Sequence, residues 1–347
     1  MYIHALAGEL ITTFWGPNNP QCQQLHNKPR VNSDIQSYME YYESQWYTMA
    51  TDMDGRYITV KSYKDIADIV QLLRQGHTRQ SIMLHLKQKN STATDEACEN
   101  SINLSARLLL MLKIGVVKHQ AVPRGCLDWK QDSLSDFVKL HFNQYQVLNT
   151  HHVRLPKAFN AWSINVIGGL QIEFTDNLAD HLLLTDDDTK VLIFHHASFL
   201  KLQTNSLFPD GLVEETLRTF ALLFPQSEYS SQHRGRHEKR AWFRSLCSGS
   251  KPYTIDKGII LCGNLRAEDR QIERFTFWRD RLIILKQTYD DATPRTISQW
   301  WHDRRNGERW FTFWVAIVVL VLTAMFGFIQ CVEGALQVYK AYNPAPN

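Results

Sequence analysis

Three histidines and two aspartates lie close together in the middle of the chain, and their types could support metal chemistry. They are Asp176, Asp180, His181, His195 and His196. Imidazole and carboxylate groups bind divalent metal ions, and a bound ion can activate water for hydrolysis. We take Asp180, His181 and His195 as the candidate metal ligands, and their surroundings as the candidate site if the protein is an enzyme.

The same residues also fit a structural role. We expect His195 and His196 to end a β-strand over 191–196, where neighbouring side chains point to opposite faces and cannot easily bind one ion. The spacing of the group matches no established metal motif. Core histidines that form hydrogen bonds are therefore the favoured interpretation, and the sequence assigns no catalytic residue, metal or cofactor.

Asp186, Asp187 and Asp188 form a second acidic group that could contribute to a calcium loop. The other oxygen ligands and the turn glycine of an EF-hand loop are missing, so we predict an acidic turn before a strand. The sequence also lacks the nucleophile-elbow, P-loop, dinucleotide-binding and zinc-protease signatures. An enzyme whose site is assembled from distant residues is therefore only the second hypothesis.

The elements that must position these residues belong to a mixed α+β module over 150–293. The pattern predicts strands at 172–174 and 191–196. It predicts helices over 177–184, 213–224 and 270–289. A polar, basic stretch over 227–240 has no periodicity and is predicted to be an exposed loop. Its basic residues are Arg234, Arg236, Lys239 and Arg240.

A helical module over 56–148 precedes the mixed module. The pattern predicts a strand at 56–60, three helices that begin after Ser62, after Thr78 and near Asp95, and a strand at 116–119. This order resembles a winged helix, and an amphipathic helix over 127–142 follows. The third helix begins with acidic residues and offers only Arg107, so we do not expect it to bind nucleic acid.

Composition indicates a folded chain with no secretory signal. Of the 347 residues, 44% are hydrophobic and 21% are charged, and the net charge is +3. The N-terminal segment, 1–55, has no basic region before its short apolar run, unlike a signal peptide. We expect this segment to be largely irregular. Its aromatic-rich stretch at 38–47 could form a helix packed on the main body. The six cysteines are scattered, which favours reduced thiols in the cytosol.

The clearest functional signal is an apolar segment near the C-terminal end. Residues 311–329 carry no charge, and a helix of that length crosses a hydrocarbon core of about 30 Å. We therefore predict one transmembrane helix over 311–332 and a short tail over 333–347. Thr323 and Gly327 have the small-x-x-x-small spacing that could support a homodimer.

The residues before the span predict its orientation. Segment 294–310 is rich in arginine and tryptophan, whereas Lys340 is the only basic residue after the span. Basic flanks stay in the cytosol and tryptophan favours the headgroup zone, so the N-terminal region should be cytosolic. We assign the membrane interface to Arg304, Arg305, Arg309, Trp300, Trp301 and Trp310.

Several stretches of the sequence are familiar from a known family. One is FWRDRLIILKQTYDDATPRTISQWWHDRRNGERW with the span that follows it (277–342). The others are LDWKQ (127–131), FTDNLADHL (174–182), FHHASFL (194–200) and LFPDGLVEETLRTFALLFPQ (207–226). Over most of residues 40–342 the chain thus resembles a family of uncharacterised filamentous-fungal proteins that have a single C-terminal transmembrane helix. The resemblance implies a fungal origin and a membrane location, and it implies no activity or cofactor.

Together these observations predict an α+β, mainly α chain on one C-terminal anchor. The leading hypothesis is a non-enzymatic, membrane-tethered interaction or scaffold protein with an unidentified protein partner. One alternative is a membrane-anchored enzyme with a site near Asp180, His181 and His195. The other is a protein that binds anionic lipids through its basic stretches, since each juxtamembrane arginine gains about 1 kcal/mol at an anionic leaflet.

Overall fold

The chain is mainly α-helical, with one small sheet and one long apolar helix at the C-terminal end, which confirms the predicted fold class. A computed structural model describes residues 10–16, 35–51, 57–115, 125–143, 147–148, 152–203, 207–229, 237–249, 254–293, 299 and 307–342.

The N-terminal segment is more regular than expected, because residues 10–15 are helical and a full helix, α1, spans Gln36–Thr51. The Tyr38 hydroxyl donates a hydrogen bond to the Leu108 carbonyl at 2.8 Å, and the Tyr41 hydroxyl donates to the Arg107 carbonyl at 3.4 Å. Aromatic rings with a polar tip can fill a core and still satisfy the hydroxyl in this way. The prediction that residues 38–47 form a helix packed on the main body is confirmed.

The three helices of the helical module begin where their capping residues predict. The Ser62 hydroxyl accepts the backbone N–H of Asp65, whose carboxylate in turn accepts the N–H of Ser62. Thr78 and Thr94 cap the next two helices through single hydrogen bonds of the same kind. The helices are α2 (Tyr63–Arg74), α3 (Arg79–Lys89) and α4 (Asp95–Leu110).

The first of the two strands that would complete a winged helix is not seen among the described residues. Residues 57–60 form no strand, because their backbone is held by α4 side chains: the Thr59 N–H donates to the Ser101 hydroxyl at 2.7 Å. The second expected strand, 116–119, lies outside the described residues. The next helix, α5, spans Leu134–Phe142 and starts later than predicted, after its cap Ser133.

The sheet has three strands in the order β1-β3-β2. β1 and β3 are parallel, and β2 pairs antiparallel with β3. The predicted helix over 177–184 is wrong, since a single 3₁₀ turn, Leu178–Asp180, leads directly into β2. The strands are β1 (Gln171–Thr175), β2 (Leu183–Thr185) and β3 (Lys190–Phe194).

Asp186, Asp187 and Asp188 form the turn between β2 and β3, as predicted. All three have positive φ angles, between 53° and 60°, a conformation that aspartate tolerates better than most residues. The Lys190 ammonium lies 2.6 Å from the Asp186 carboxylate and pairs with it across the turn.

The remaining helices surround the sheet. The helix predicted over 213–224 is confirmed as α8, whereas the one predicted over 270–289 begins only at Arg279, after two short 3₁₀ turns. The helices are α6 (Ala161–Val166), α7 (Ala197–Leu202), α8 (Leu212–Leu223), α9 (Gln226–Tyr229), α10 (His237–Ser248) and α11 (Arg279–Asp291).

One continuous hydrophobic core includes residues from both predicted modules. It extends along the chain from Leu10 to Tyr289. The rings of Tyr38 in α1 and Phe199 in α7 stack with centroids 5.3 Å apart. This packing places α1 beside the carboxyl ends of the strands. The boundary between the two modules at 148–150 remains a prediction.

The last helix, α12 (Gly307–Tyr342), contains the one candidate membrane span of the described residues, Trp310–Tyr339. Its mean hydropathy is 2.6 and none of its most apolar window is buried, which is consistent with a single-pass membrane protein. The helix extends beyond the predicted span, so the tail expected over 333–347 is helical as far as Tyr342.

Candidate functional site

Polar residues follow the two parallel strands at the same edge of the sheet. Asp176 comes directly after β1, and His195 and His196 come directly after β3. Ligand sites in sheets with parallel strands commonly lie beyond the carboxyl ends of the strands, where the chain leaves the sheet. The register, which pairs Thr175 with Phe194, brings the three polar side chains together.

These three side chains form one cluster around a single carboxylate oxygen. Oδ1 of Asp176 lies 3.1 Å from Nε2 of His195 and 2.8 Å from Nε2 of His196. The two imidazole rings stack with centroids 3.9 Å apart. The expectation that the histidines point to opposite faces is wrong, because β3 ends at Phe194 and both histidines lie in the bend before α7.

Asp256 determines how His195 is protonated in this arrangement. The backbone N–H of Asp256 donates a hydrogen bond to Nδ1 of His195 at 3.3 Å. A neutral imidazole that accepts at Nδ1 carries its proton on Nε2, so Nε2 donates to Asp176. The Asp256 carboxylate is itself held by the backbone N–H groups of Ser198 and Gly258, at 2.6 and 2.7 Å.

Burial and hydrogen bonding set the charges in the cluster. Burial alone would raise the pKa of Asp176, but the hydrogen bonds from His195 and His196 outweigh it and hold that pKa well below its usual range. Burial lowers the pKa of His195 to about 4. At neutral pH the cluster therefore presents an ionised carboxylate beside a neutral His195.

The cluster opens into a cavity of about 410 Å³ between α1 and the sheet edge. The side chain of Asp176 is 25% exposed there, whereas the histidine side chains are only 1% exposed. The carboxylate is therefore the part of the cluster that an entering ligand meets first. Other polar residues that line the cavity are Ser37, Tyr41, Ser44, Gln45, Lys113, Glu173, Thr175, Asp180 and Thr254.

The structure does not bring Asp180, His181 and His195 together as ligands. Only His195 belongs to the cluster. Asp180 lies on the cavity wall, where its carboxylate is 3.8 Å from the Lys113 ammonium. The 3₁₀ turn that carries Asp180 directs its side chain to Lys113, so Asp180 does not join His195 in the cluster.

His181 is a core histidine whose two ring nitrogens are both hydrogen-bonded. Its Nε2 lies 2.7 Å from the hydroxyl of Thr219, which donates its own proton to the carbonyl of Thr216. Its Nδ1 accepts the N–H of Phe194 at 3.2 Å. Burial, assisted by the nearby Arg281 guanidinium, lowers the pKa of His181 well below its usual value. Its role in the fold is structural.

The predicted membrane-interface residues fall mostly outside the described residues. Arg304, Arg305, Trp300 and Trp301 do so entirely, and Arg309 is described only as part of the α12 backbone. The ring of Trp310 lies 6.3 Å from that of Trp314, at the start of the apolar run.

The described end of the basic stretch is helical and partly buried. Lys239 lies in α10 instead of a loop, and its ammonium is 2.5 Å from the Glu228 carboxylate and 4.9 Å from the ring centroid of Trp162. An internally paired lysine contributes little to lipid binding. Arg234 and Arg236 lie outside the described residues.

Three residues of the site, Asp176, His196 and Asp256, were not among the sequence-based ligand candidates. Asp176 and His196 could have been chosen because each lies at the end of a predicted strand, 172–174 or 191–196. Asp256 carried no signal, since it comes 61 residues after His195 and acts through its backbone.

Comparison with known proteins gives no further assignment: no protein-family model, no curated protein and no solved structure matches this chain.

Proposed function

We propose that this chain is a non-enzymatic interaction or scaffold protein, tethered to a membrane by α12 with its folded N-terminal part in the cytosol. The observation that carries the proposal is the separation of Asp180, His181 and His195. Asp180 faces a lysine, His181 is bonded within the core, and His195 belongs to the Asp176 cluster. A tether increases the local concentration of a binding surface without any new contact.

Orientation is proposed from the arginines that precede the span and from the rule that basic flanks stay in the cytosol. Membership of the fungal family of single-span proteins also remains a prediction. A protease-protection assay on sealed vesicles, with one tag at each end of the chain, tests the orientation. We expect the N-terminal tag to be digested and the C-terminal tag to be protected. The reverse pattern would overturn the proposed topology.

Proximity labelling from the N-terminus of the full chain tests the interaction role. We expect a reproducible set of neighbours that persists when residues 310–339 are replaced by an unrelated single span. The matched control carries the labelling enzyme on the unrelated span alone. A neighbour set identical to that of the control would contradict the proposal, because the folded part would then add nothing.

A membrane-anchored enzyme is the second proposal, and one observation favours it. The Asp176 cluster opens into a cavity large enough for a small molecule, at an edge of the sheet where ligand sites are common. Turnover of a substrate that is lost in an Asp176→Asn variant and kept in an Asp180→Asn variant would favour the enzyme.

A further inference from the structure

The ligand-type atoms of Asp176, His195 and His196 converge as the ligands of one ion do. Oδ1 of Asp176 is 3.1 and 2.8 Å from the two Nε2 atoms, and all three ligand atoms lie within 4.8 Å of one another. Two atoms about 2.1 Å from one ion are roughly 3.0 Å apart at right angles and roughly 3.4 Å apart at the tetrahedral angle, so a tetrahedral ion needs only small shifts of the side chains. The spacing therefore fits a shared ion without rearrangement of the backbone.

Among the described residues, no lysine or arginine pairs with the negative charge of Asp176. Its partners in this part of the chain are the two imidazoles. The carboxylate is three-quarters buried, and charges that are buried to this extent are normally paired or coordinate a metal. A bound cation would therefore balance the charge of the Asp176 carboxylate.

His196 is also incompletely bonded. Its Nδ1 is buried and has no hydrogen-bond partner among the described residues, although its Nε2 faces Asp176. A buried ring nitrogen without a partner costs about 1 to 3 kcal/mol, which an apolar residue at this position would avoid. Simple packing does not explain a histidine at this position, and its Nε2 is the ring atom that faces Asp176.

We propose that Asp176, His195 and His196 bind a divalent transition-metal ion of the zinc class. Two imidazoles and one carboxylate favour such an ion over calcium or magnesium, which take oxygen ligands. The open cavity leaves room for water or a small ligand at the remaining coordination positions. This site goes beyond the proposed interaction role and does not depend on it.

A proton competes with the ion at His195. Metal on Nε2 requires the proton on Nδ1, where it faces the N–H of Asp256. The 3.3 Å bond from that N–H is long and therefore weak, so a small rotation of the ring releases it. Binding requires each neutral histidine to change tautomer: the Nε2 proton leaves to water, a proton from water is taken up at Nδ1, and the ion occupies Nε2 with no net change in the proton count of the ring.

Titration of the full chain in detergent micelles with Co²⁺, after treatment with a chelator, tests the site. We expect a visible absorption band, and elemental analysis after dialysis against Zn²⁺ should give about one ion per chain. Asp176→Asn keeps an oxygen that accepts both imidazole N–H groups but removes the charge, so affinity should fall at least about tenfold. Asp180→Asn, on the same cavity wall, should bind within about twofold of the original chain.

Equal affinity in the two variants, or no band in the original chain, would overturn the proposal. A second measurement covers the case in which Asp176→Asn does not fold. Saturating Zn²⁺ should raise the thermal midpoint of the original chain, and a chelator should restore it, because an ion that binds only the folded state stabilises that state. An unchanged midpoint would count against the site equally.

Discussion

Glu215 Oε1 accepts the backbone N–H of Trp278 at 2.8 Å, and this bond joins α8 to the start of α11. The other carboxylate oxygen accepts the N–H of Thr276 at 2.7 Å. The glutamate therefore accepts hydrogen bonds from the N–H groups of Thr276 and Trp278. If α11 began earlier, these N–H groups would lie within the helix instead. Burial raises the pKa of Glu215, and the same N–H groups oppose that rise.

Glu215→Ala should lower the free energy of unfolding by about 2 to 3 kcal/mol, because the Trp278 N–H would stay buried without an acceptor. Glu214→Ala is the matched control, since Glu214 is exposed on the same helix turn and should change stability by no more than about 0.5 kcal/mol. Denaturant unfolding of the full chain in micelles measures both. Equal effects would show that the bond contributes nothing.

Gly125→Ala should destabilise the chain more than Gly76→Ala does. Both glycines have positive φ, 77° and 80°, so each substitution strains the backbone by about 1 to 2 kcal/mol. Only at Gly125 would the new Cβ meet another atom, Oδ1 of Asp180 at 2.4 Å, whereas nothing lies within 4 Å at Gly76. We therefore expect Gly125→Ala to lower the free energy of unfolding by about 1 to 3 kcal/mol more than Gly76→Ala does.

The thermal midpoints of the two glycine variants measure this difference. Asp180→Ala combined with Gly125→Ala should remove most of the additional loss, because it removes the atom that the new Cβ meets. A double variant no more stable than Gly125→Ala would mean that the contact is not the cause.

Stability should fall as the pH drops below about 6.5, partly because of His181. Its pKa is lowered in the folded state, so the unfolded chain binds a proton that the folded chain does not. One such group changes the unfolding free energy by up to about 1.4 kcal/mol per pH unit below the unfolded pKa. The His181→Gln variant should be less stable than the original chain at pH 7, and its free energy of unfolding should fall less between pH 7 and pH 5.

Denaturant unfolding of both proteins between pH 7 and pH 5 measures that slope. His195, whose pKa burial also lowers, is present in both proteins, so its contribution cancels in the comparison. Parallel curves for the two proteins would rule out His181 as a cause of acid sensitivity.

Leu320→Arg combined with Leu322→Arg should release the chain from membranes under alkaline carbonate. Arginine near the middle of a span costs about 2.5 to 3.5 kcal/mol per residue. Leu84→Arg is the control, because Leu84 is 62% exposed on α3 and is not part of the span. Release of the control, or retention of the double variant, would contradict the assignment of α12 as the anchor.

Local signals predicted the starts of α2, α3 and α4 well. Ser62, Thr78 and Thr94 each cap a helix through atoms three residues away, so the sequence alone contains that information. The late start of α11 could not be predicted from the residues near it in the sequence. It depends on Glu215, which is 63 residues from Trp278 in the chain.

The Asp176 cluster was only partly predictable for a similar reason. Its residue types stand out in the sequence, but the end of β3 at Phe194 depends on pairing with β1 and β2. Two residues more of strand would have turned His195 and His196 to opposite faces. The backbone contact from Asp256 depends on tertiary packing, which no local pattern encodes.

The length of the uncharged part of α12 bears on which bilayers suit it. Residues 311–329, between Trp310 and Gln330, carry no charged side chain. At 1.5 Å per residue this stretch is about 28 Å long, close to the hydrocarbon thickness of about 27 Å in an endoplasmic-reticulum bilayer. In a sterol-rich plasma membrane of about 32 to 33 Å, a spanning helix of this apolar length would have to thin the bilayer locally or draw its polar ends toward the hydrocarbon. A spanning α12 would therefore need little tilt, because its apolar length does not exceed either thickness by more than about one residue.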